Sequence, residues 1–517
     1  MFILNLYRSV KRHPTAMRKT RHYFVTAPSL AVAFLCQAPA WGNDYFSNLM
    51  GIIEPQHSQV ALSATDLTTG ELIYQQNADT LLLPASTQKL LTAVAATAQL
   101  GNGFKFDTQV FSHFPIRHGK IAGDIYITFS GDPTLTTDNL RDLFKQLTDQ
   151  GLYEVSGNIY LVGEPGEQTK APGWVWDDLG ICYAAPVSAF VINQNCIHGQ
   201  LRPKMASNES QLSFASYLPV SLSTSAVFDK RKQGSFCELE LSRLANNTFH
   251  LSGCHAGDKP INLAIAINDP ALFASKMIEQ VLKSSQIRVK GKVKVSSKRA
   301  KYHKVIASHS SEALPALVET MLLKSDNLIA DSLFKAIGKS YFGEPANFSH
   351  GAKAVEQILT AAGVDLSHSQ IVDGSGLSRY NLLTANQLSQ VLMLIYEDKR
   401  FQGLIEQLPV AGISGTLRYK AHYNRAPLKQ RVVAKTGSMQ GVDNLAGFIS
   451  LNQTGKALFV VLENGQSPKT KHDQIAPFSA LFLQTLLDSA PLSAKEEPPL
   501  DTPIHQNESV KRQTEAK

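Results

Sequence analysis

The pattern of apolar and polar positions between 59 and 78 predicts a hairpin. Val60-Ala61-Leu62-Ser63-Ala64 and Leu72-Ile73-Tyr74 flank a turn at Thr68-Thr69-Gly70. The pattern then changes to an Ala- and Leu-rich helical one. It starts at Pro84, suited to a first helical turn because it lacks an N–H, and stops at Gly101 and Gly103. Short β-like runs follow at 108–112, 124–129 and 156–162, with a helix expected over 138–150. Residues 197–257 are Ser-rich, with strand-like pieces at 238–241 and 249–252. A strand (261–267), a helix (270–283) and a strand (287–295) come next. From Leu314 the periodicity is again helical, with further helices over 351–363 and 384–396 and a Gly-rich turn, Asp373-Gly374-Ser375-Gly376, between them. Near the end three strands are expected, 432–436, 445–450 and 457–462, the last two joined by a turn at 452–455. From Ser493 the chain is polar and is expected to be disordered. No tandem repeat interrupts this order. The first part (44–101) and the last (305–490) share one texture, and a long insertion separates them.

Length and composition narrow the class. A chain of 517 residues exceeds one ordinary core. It is 43% hydrophobic and 18% charged, a globular composition, and its net charge of +7 is partly in the termini. No basic stripe carries interleaved aromatics, so no nucleic-acid partner is expected. Arg18, Lys19 and Arg21 precede an apolar run from Tyr23 to Cys36 and the small-residue sequence Ala38-Pro39-Ala40. This reads as an export signal over 1–40, with Met17 as an alternative start. The run is about fourteen residues, short of the about twenty that span a bilayer, so no stable membrane anchor is expected. Without that segment four cysteines remain: Cys182, Cys196, Cys237 and Cys254. An even count in an exported chain suggests two disulfides, and three pairings are open. Local pairing is the simplest of them, and free buried thiols are the alternative. No Cys-x-x-Cys or paired-His spacing accompanies them, so no metal site is expected, and no organic cofactor is implied.

Three short motifs carry candidate chemistry. Ser86 and Lys89 are three residues apart at a helix start, so hydroxyl and amine share a face as nucleophile and base. Ser-x-x-Lys alone is weak, since a chain this long should hold roughly two by chance. A second one, Ser332 to Lys335, is indeed present, where a structural serine is expected. Ser325-Asp326-Asn327 offers a hydroxyl and an amide, although Ser and Asp at a helix start also serve as caps. Lys435-Thr436-Gly437-Ser438 ends a predicted strand. Its lysine offers a fixed charge and its hydroxyls can bind a carboxylate. Gly437 would let a substrate approach the backbone.

Ser-x-x-Lys, Ser-Asp-Asn and Lys-Thr-Gly in that order resemble the penicillin-recognising serine acyltransferases. The wide spacing between Lys89 and Ser325 resembles the low-molecular-mass class C penicillin-binding proteins of the penicillin-binding protein 4 type. So do Ser130-Gly131-Asp132-Pro133, Trp174-Val175-Trp176-Asp177-Asp178, Tyr183-Ala184-Ala185-Pro186, the run from Asp373 to Arg379, and 441–447. The resemblance covers about 45–485. It implies an α/β (α+β) fold: a transpeptidase-like catalytic domain, an antiparallel sheet flanked by helices, split by two inserted β-rich domains. The catalytic domain would comprise 44–101 and 305–490, a second α/β domain 102–196 and 258–304, a small β-rich domain 197–257, and a tail 491–517.

The resemblance also implies a periplasmic serine-type D-Ala-D-Ala carboxypeptidase and endopeptidase. It would act on peptidoglycan stem peptides and cross-links, and β-lactams would be covalent inhibitors. Ser86 would form the acyl-enzyme. Lys89 would be the base, its pKa lowered by burial and by Lys435. Ser325 would relay a proton to the leaving amine, and Asn327 would orient Lys89 and the substrate amide. Lys435, Thr436 and Ser438 would hold the terminal carboxylate. The N–H groups of Ser86 and Ser438 would form the oxyanion hole. Asp178, Tyr183, Arg379 and Gln440 match family positions near the peptide side chain, where an Asp178–Arg379 charge pair suits the zwitterionic end of meso-diaminopimelic acid. Tyr183 stands where a relative has Phe. The alternatives are a β-lactamase or esterase on the same scaffold, and a non-catalytic module that binds peptidoglycan or senses β-lactams. A homodimer is left open.

Overall fold

The computed structural model describes residues 41–163, 168–204, 207–232, 236–297, 304–451, 455–468 and 475–489. The expected leader over 1–40, the tail over 491–517 and most of the turn at 452–455 lie outside the described residues.

Five antiparallel strands form the main sheet, in the order Val432–Met439, Val442–Ser450, Lys456–Asn464, Gln59–Asp66, Leu72–Gln76. The chain's first strands thus pair with its last, which closes the molecule around everything between. The inner strands are buried on both faces. Leu458, Val460 and Leu462 pack on one side with Leu90, Leu317 and Leu388, while Phe459 and Val461 pack on the other with Phe46, Phe478 and Phe482. Burial on both faces is why these strands read in sequence as continuous apolar runs rather than alternations. The helices Trp41–Ile53 and Phe478–Ser489 belong to the second face. The helices Lys89–Leu100, Leu314–Lys324, Asn327–Phe342, Phe348–Ala361 and Ala385–Glu397 build the first.

The insertion carries its own sheets. One has five strands, ordered Val293–Ser296, Ile159–Val162, Ile125–Phe129, Asp107–Ser112, Lys304–Ser310, and shares a core with the helices Thr137–Asp149 and Pro270–Ser284. The chain is therefore still in an inserted sheet at 305, where Lys304–Ser310 pairs with Asp107–Ser112. A seven-stranded sheet takes in Cys196–Lys204 and Ile261–Ala266, which pair with each other. Its disulfides are local: Cys182–Cys196 and Cys237–Cys254.

One expected element comes out differently. The single strand over 287–295 is two, Arg288–Val289 and Val293–Ser296, which join different sheets. Gly291 lies between them, so close to Gly157 that a Cβ there would sit 2.4 Å from its carbonyl oxygen. The helix Leu314–Lys324 ends at Ser325, whose φ of 57° is left-handed, and the helix expected to start there follows as Asn327–Phe342. Asp326 then caps the second helix by accepting from the Ile329 N–H at 2.9 Å.

Candidate active site

Ser86 does not open an α-helix. Ala85–Gln88 is a 3-10 turn that hands over to the α-helix at Lys89. Ala85, just before the serine, has a φ of 46°, a conformation a β-carbon disfavours. Asn444 holds the approach to this turn by donating to the carbonyls of Leu83 (2.8 Å) and Pro84 (2.9 Å), and the Leu83 N–H donates to Asn464 Oδ1 at 2.8 Å.

Gly437 shapes the same turn from the strand side. A Cβ there would lie 2.7 Å from the Pro84 oxygen and 3.1 Å from the Thr87 nitrogen. Gly437 thus lets the serine turn approach the strand's backbone. This close approach brings the strand's Lys435 and Ser438 up to Ser86.

Lys89 is fully buried, and three acceptors surround its amine. Nζ lies 2.8 Å from Ser86 Oγ, 2.7 Å from Asn327 Oδ1 and 2.7 Å from the Ser375 carbonyl oxygen. Asn327 uses its Nδ2 to donate to the Tyr183 carbonyl at 2.9 Å. Burial lowers the Lys89 pKa to about 8, against the pull of Asp331, Asp373 and Asp326. Lys435 is also fully buried and donates to Ser325 Oγ at 2.8 Å and to the Thr436 carbonyl at 2.9 Å. Burial, then the neighbouring Lys89 and then Lys420 hold its pKa well below the ordinary lysine value. Burial is the first cause of the Lys89 depression, and the two ammonium groups repel one another.

Val432–Met439 is an edge strand. On its outer side the Ala411 N–H reaches the Val432 carbonyl and the Ala434 N–H reaches the Pro409 carbonyl, each at 2.9 Å. Strand alternation then turns the N–H groups of Thr436 and Ser438 to that same outer side, toward the cleft. Thr436 Oγ1 lies 2.8 Å from Thr416 Oγ1. Lys420 donates to Asp443 Oδ1 at 2.9 Å, and Ser438 Oγ lies 3.5 Å from that oxygen.

A cleft of about 450 Å³ opens over these groups. Ser86, Ser325, Asn327, Ser438, Asp178, Tyr183, Arg379 and Gln440 all line it. Asp178 and Arg379 both line the cleft, each with a partner of its own. Asp178 accepts from the Tyr183 hydroxyl, and Arg379 donates to the Gln440 carbonyl at 3.3 Å. Burial and the Asp178 carboxylate push the Tyr183 phenol pKa up. The second Ser-x-x-Lys is elsewhere. Lys335 donates to the carbonyls of Gln168 (3.1 Å) and Val187 (2.9 Å), in a separate cavity of about 220 Å³ that none of the cleft's side chains lines.

Sequence reasoning missed the support beneath Lys89. The Gly374 and Ser375 N–H groups donate to Asp331 Oδ1 at 2.8 and 2.9 Å, which fixes the loop whose carbonyl meets Lys89. Asp373 accepts from the Gly376 N–H (2.8 Å), the Ser378 N–H (2.7 Å) and Trp174 Nε1 (2.9 Å). The Gly-rich run gave the only signal for this. Thr416, Lys420 and Asn444 had none of their own.

The chain is 33% identical over 457 residues to the D-alanyl-D-alanine carboxypeptidase DacB of Haemophilus influenzae, covering 87% of this chain and 95% of that one. It is 30% identical over 486 residues to a D-alanyl-D-alanine carboxypeptidase of Actinomadura sp. (strain R39), covering 87% and 88%. The crystal structure of penicillin binding protein 4 from Haemophilus influenzae superposes with a TM-score of 0.80 at 33% identity, over 86% of this chain and 98% of that one. The same protein complexed with a β-lactam gives a TM-score of 0.76 at 32% identity, over 86% and 98%. Residues 51–484 match the D-Ala-D-Ala carboxypeptidase 3 (S13) family, and the chain belongs to it.

Proposed function

We propose that this S13 peptidase releases D-Ala from peptidoglycan stem peptides, and cuts their D-Ala cross-links, through an acyl-enzyme on Ser86. The observation that carries the reading is the Lys89 amine, buried and 2.8 Å from the Ser86 hydroxyl. A buried lysine with a pKa of about 8 is neutral often enough near neutral pH to act as a base. Lys89 takes the Ser86 proton as Oγ bonds to the carbonyl carbon of the penultimate D-Ala. The oxyanion forms between the N–H groups of Ser86 and Ser438; losing one such donor typically costs about 2.7–4 kcal/mol of transition-state stabilisation. The C–N bond then breaks, and the leaving amine takes, through the Ser325 hydroxyl that Lys435 contacts, the proton that Lys89 removed from Ser86, which returns Lys89 to its neutral form. Water completes the cycle, with Lys89 again as base.

Lys435, Thr436 and Ser438 hold the terminal carboxylate, whose charge favours the protonated form of Lys435. Asp178, Tyr183, Arg379 and Gln440 receive the side chain of the residue before D-Ala, with Arg379 and the Asp178–Tyr183 pair offering opposite polarity. A β-lactam acylates the same oxygen and leaves slowly. The division into a catalytic part and inserted parts, and export to the periplasm, belong to this reading. Among the described residues no helix is long and apolar enough to cross a membrane.

Mass spectrometry after incubation with penicillin, followed by peptide mapping, tests the assignment. The adduct is expected on Ser86, and Ser86→Ala is expected to lose both the adduct and D-Ala release. A label on another residue, or activity persisting in the variant, overturns it. Rapid release of hydrolysed penicillin would instead indicate a β-lactamase.

A further inference from the structure

Trp176 is 77% exposed, an unusual state for a large aromatic side chain. Its neighbours Val175 and Asp177 both line the catalytic cleft, so the indole stands at the rim. The ring is not loose. The Arg243 guanidinium lies 5.0 Å from its centroid and donates to the Leu179 carbonyl at 3.1 Å, which ties the ring's partner to the Trp176–Gly180 turn. One face of the indole is therefore covered by a held cation, and the high exposure leaves the other open. The rest of the segment is pinned as well. Trp174 Nε1 donates to Asp373, the Arg379 N–H donates to the Gly173 carbonyl at 3.0 Å, and the Ser378 hydroxyl donates to the Pro172 carbonyl at 2.6 Å.

A rigid aromatic face, open on one side and beside a peptide-binding cleft, suits a ligand with a flat apolar face and polar edges. A pyranose ring has that form. We propose that the open face of Trp176 is a glycan subsite, stacking on a sugar of the strand from which the stem peptide hangs. The inference rests on the peptidase reading above and extends its substrate outward. Asp178, two residues on in the same 3-10 turn, faces the side chain before D-Ala. An extended peptide covers about 3.3–3.6 Å per residue, so the two stem residues beyond that point bring the sugar to the rim. Charge agrees. Arg243 and Lys170, close enough to repel one another, offer positive potential to the acidic residue of the stem, while Asp178 is engaged by Tyr183 and Asp177 faces the cleft.

The test compares D-Ala release from a disaccharide-linked pentapeptide and from the same pentapeptide without sugar. Trp176→Ala should lower kcat/KM on the sugar-linked substrate about three- to tenfold relative to the sugar-free one, with Trp176→Phe between. Equal loss on both substrates, or no loss on either, overturns the proposal. NMR titration with the peptide-free disaccharide decides it independently of turnover. Binding by the native protein that Trp176→Ala loses supports the subsite, and absent or unchanged binding overturns it, whether or not D-Ala is released. Failure of the peptidase reading would show separately, as absence of D-Ala release from both substrates by the native protein.

Discussion

Lys89 joins the Ala85–Gln88 turn, the helix Asn327–Phe342 and the Gly-rich loop through three contacts of one amine, so its titration should be visible in kinetics. Its pKa is depressed, so the neutral form, the base, prevails above about 8 and is lost as pH falls. The second-order rate of Ser86 acylation by a chromogenic β-lactam should therefore rise with pH and reach half its plateau near pH 8. A rate flat from pH 6 to 10 would remove Lys89 from the role. Asp331 should move that limb. It is fully buried, its Oδ2 has no partner among the described residues, and burial together with Asp373 raises its own pKa well above the carboxylate range. Its Oδ1 holds the loop that offers the Ser375 carbonyl to Lys89, and its charge favours the ammonium form. Asp331→Ala removes both effects. The acid limb should shift to lower pH, and acylation should slow by about tenfold, worth about 1.4 kcal/mol. Asp331→Asn keeps an acceptor for the two N–H groups, so it should recover most of the rate while the limb remains displaced. A variant that is merely less stable would leave the limb in place.

At the scale of elements, the strand Val432–Met439 and the Ala85–Gln88 turn function as a pair because Gly437 lets them touch. Gly437→Ala pushes a methyl against the Pro84 oxygen and the Thr87 nitrogen, backbone atoms that cannot swing aside. A cost of about 1–3 kcal/mol is expected in denaturant unfolding, with slowed acylation of Ser86. Unchanged acylation would mean that the strand's position is not critical. The same pair shows what a sequence discloses. The hairpin at 59–76, the helix after Lys89 and the last three strands were legible because their apolar periods are strong and unbroken. The candidate residues of the cleft were legible because the order of their motifs resembles a known family. The 3-10 start at Ala85 and the left-handed Ser325 were not, since each is a conformation that tertiary contacts impose on an ordinary residue. Nor was the reason for Gly437, because its neighbour Pro84 is hundreds of positions away in the chain. Asp331 read as one more polar helical residue. Only folding places it under the loop 373–376.

At the scale of the whole molecule, the cleft is assembled from two parts of the chain whose duties differ. The main sheet and its helices bring Ser86, Lys89, Ser325, Asn327 and Lys435 together, whereas the wall with Asp178 and Tyr183 comes from 3-10 turns in the long stretch between that sheet's strands. That wall is tied twice: Asn327 donates to the Tyr183 carbonyl, and the disulfide Cys182–Cys196 fastens the Tyr183 turn to the first strand of the inserted seven-stranded sheet. Closing a loop of this length typically contributes about 3 kcal/mol. The double variant Cys182→Ser, Cys196→Ser should therefore unfold more readily and should hold the wall less firmly. Its effect on catalysis should be selective, because the acylating groups lie in the other part. KM for a stem peptide bearing diaminopimelic acid should rise several-fold, while the rate of penicillin labelling of Ser86, which needs no side-chain wall, should stay within about twofold of the native value. Measured side by side, the two rates separate a wall that selects the peptide from one that the acylating groups need in order to assemble. If both rates fell together, the insertion would be part of the catalytic frame, and the assignment of side-chain recognition to Asp178 and Tyr183 would have to be given up.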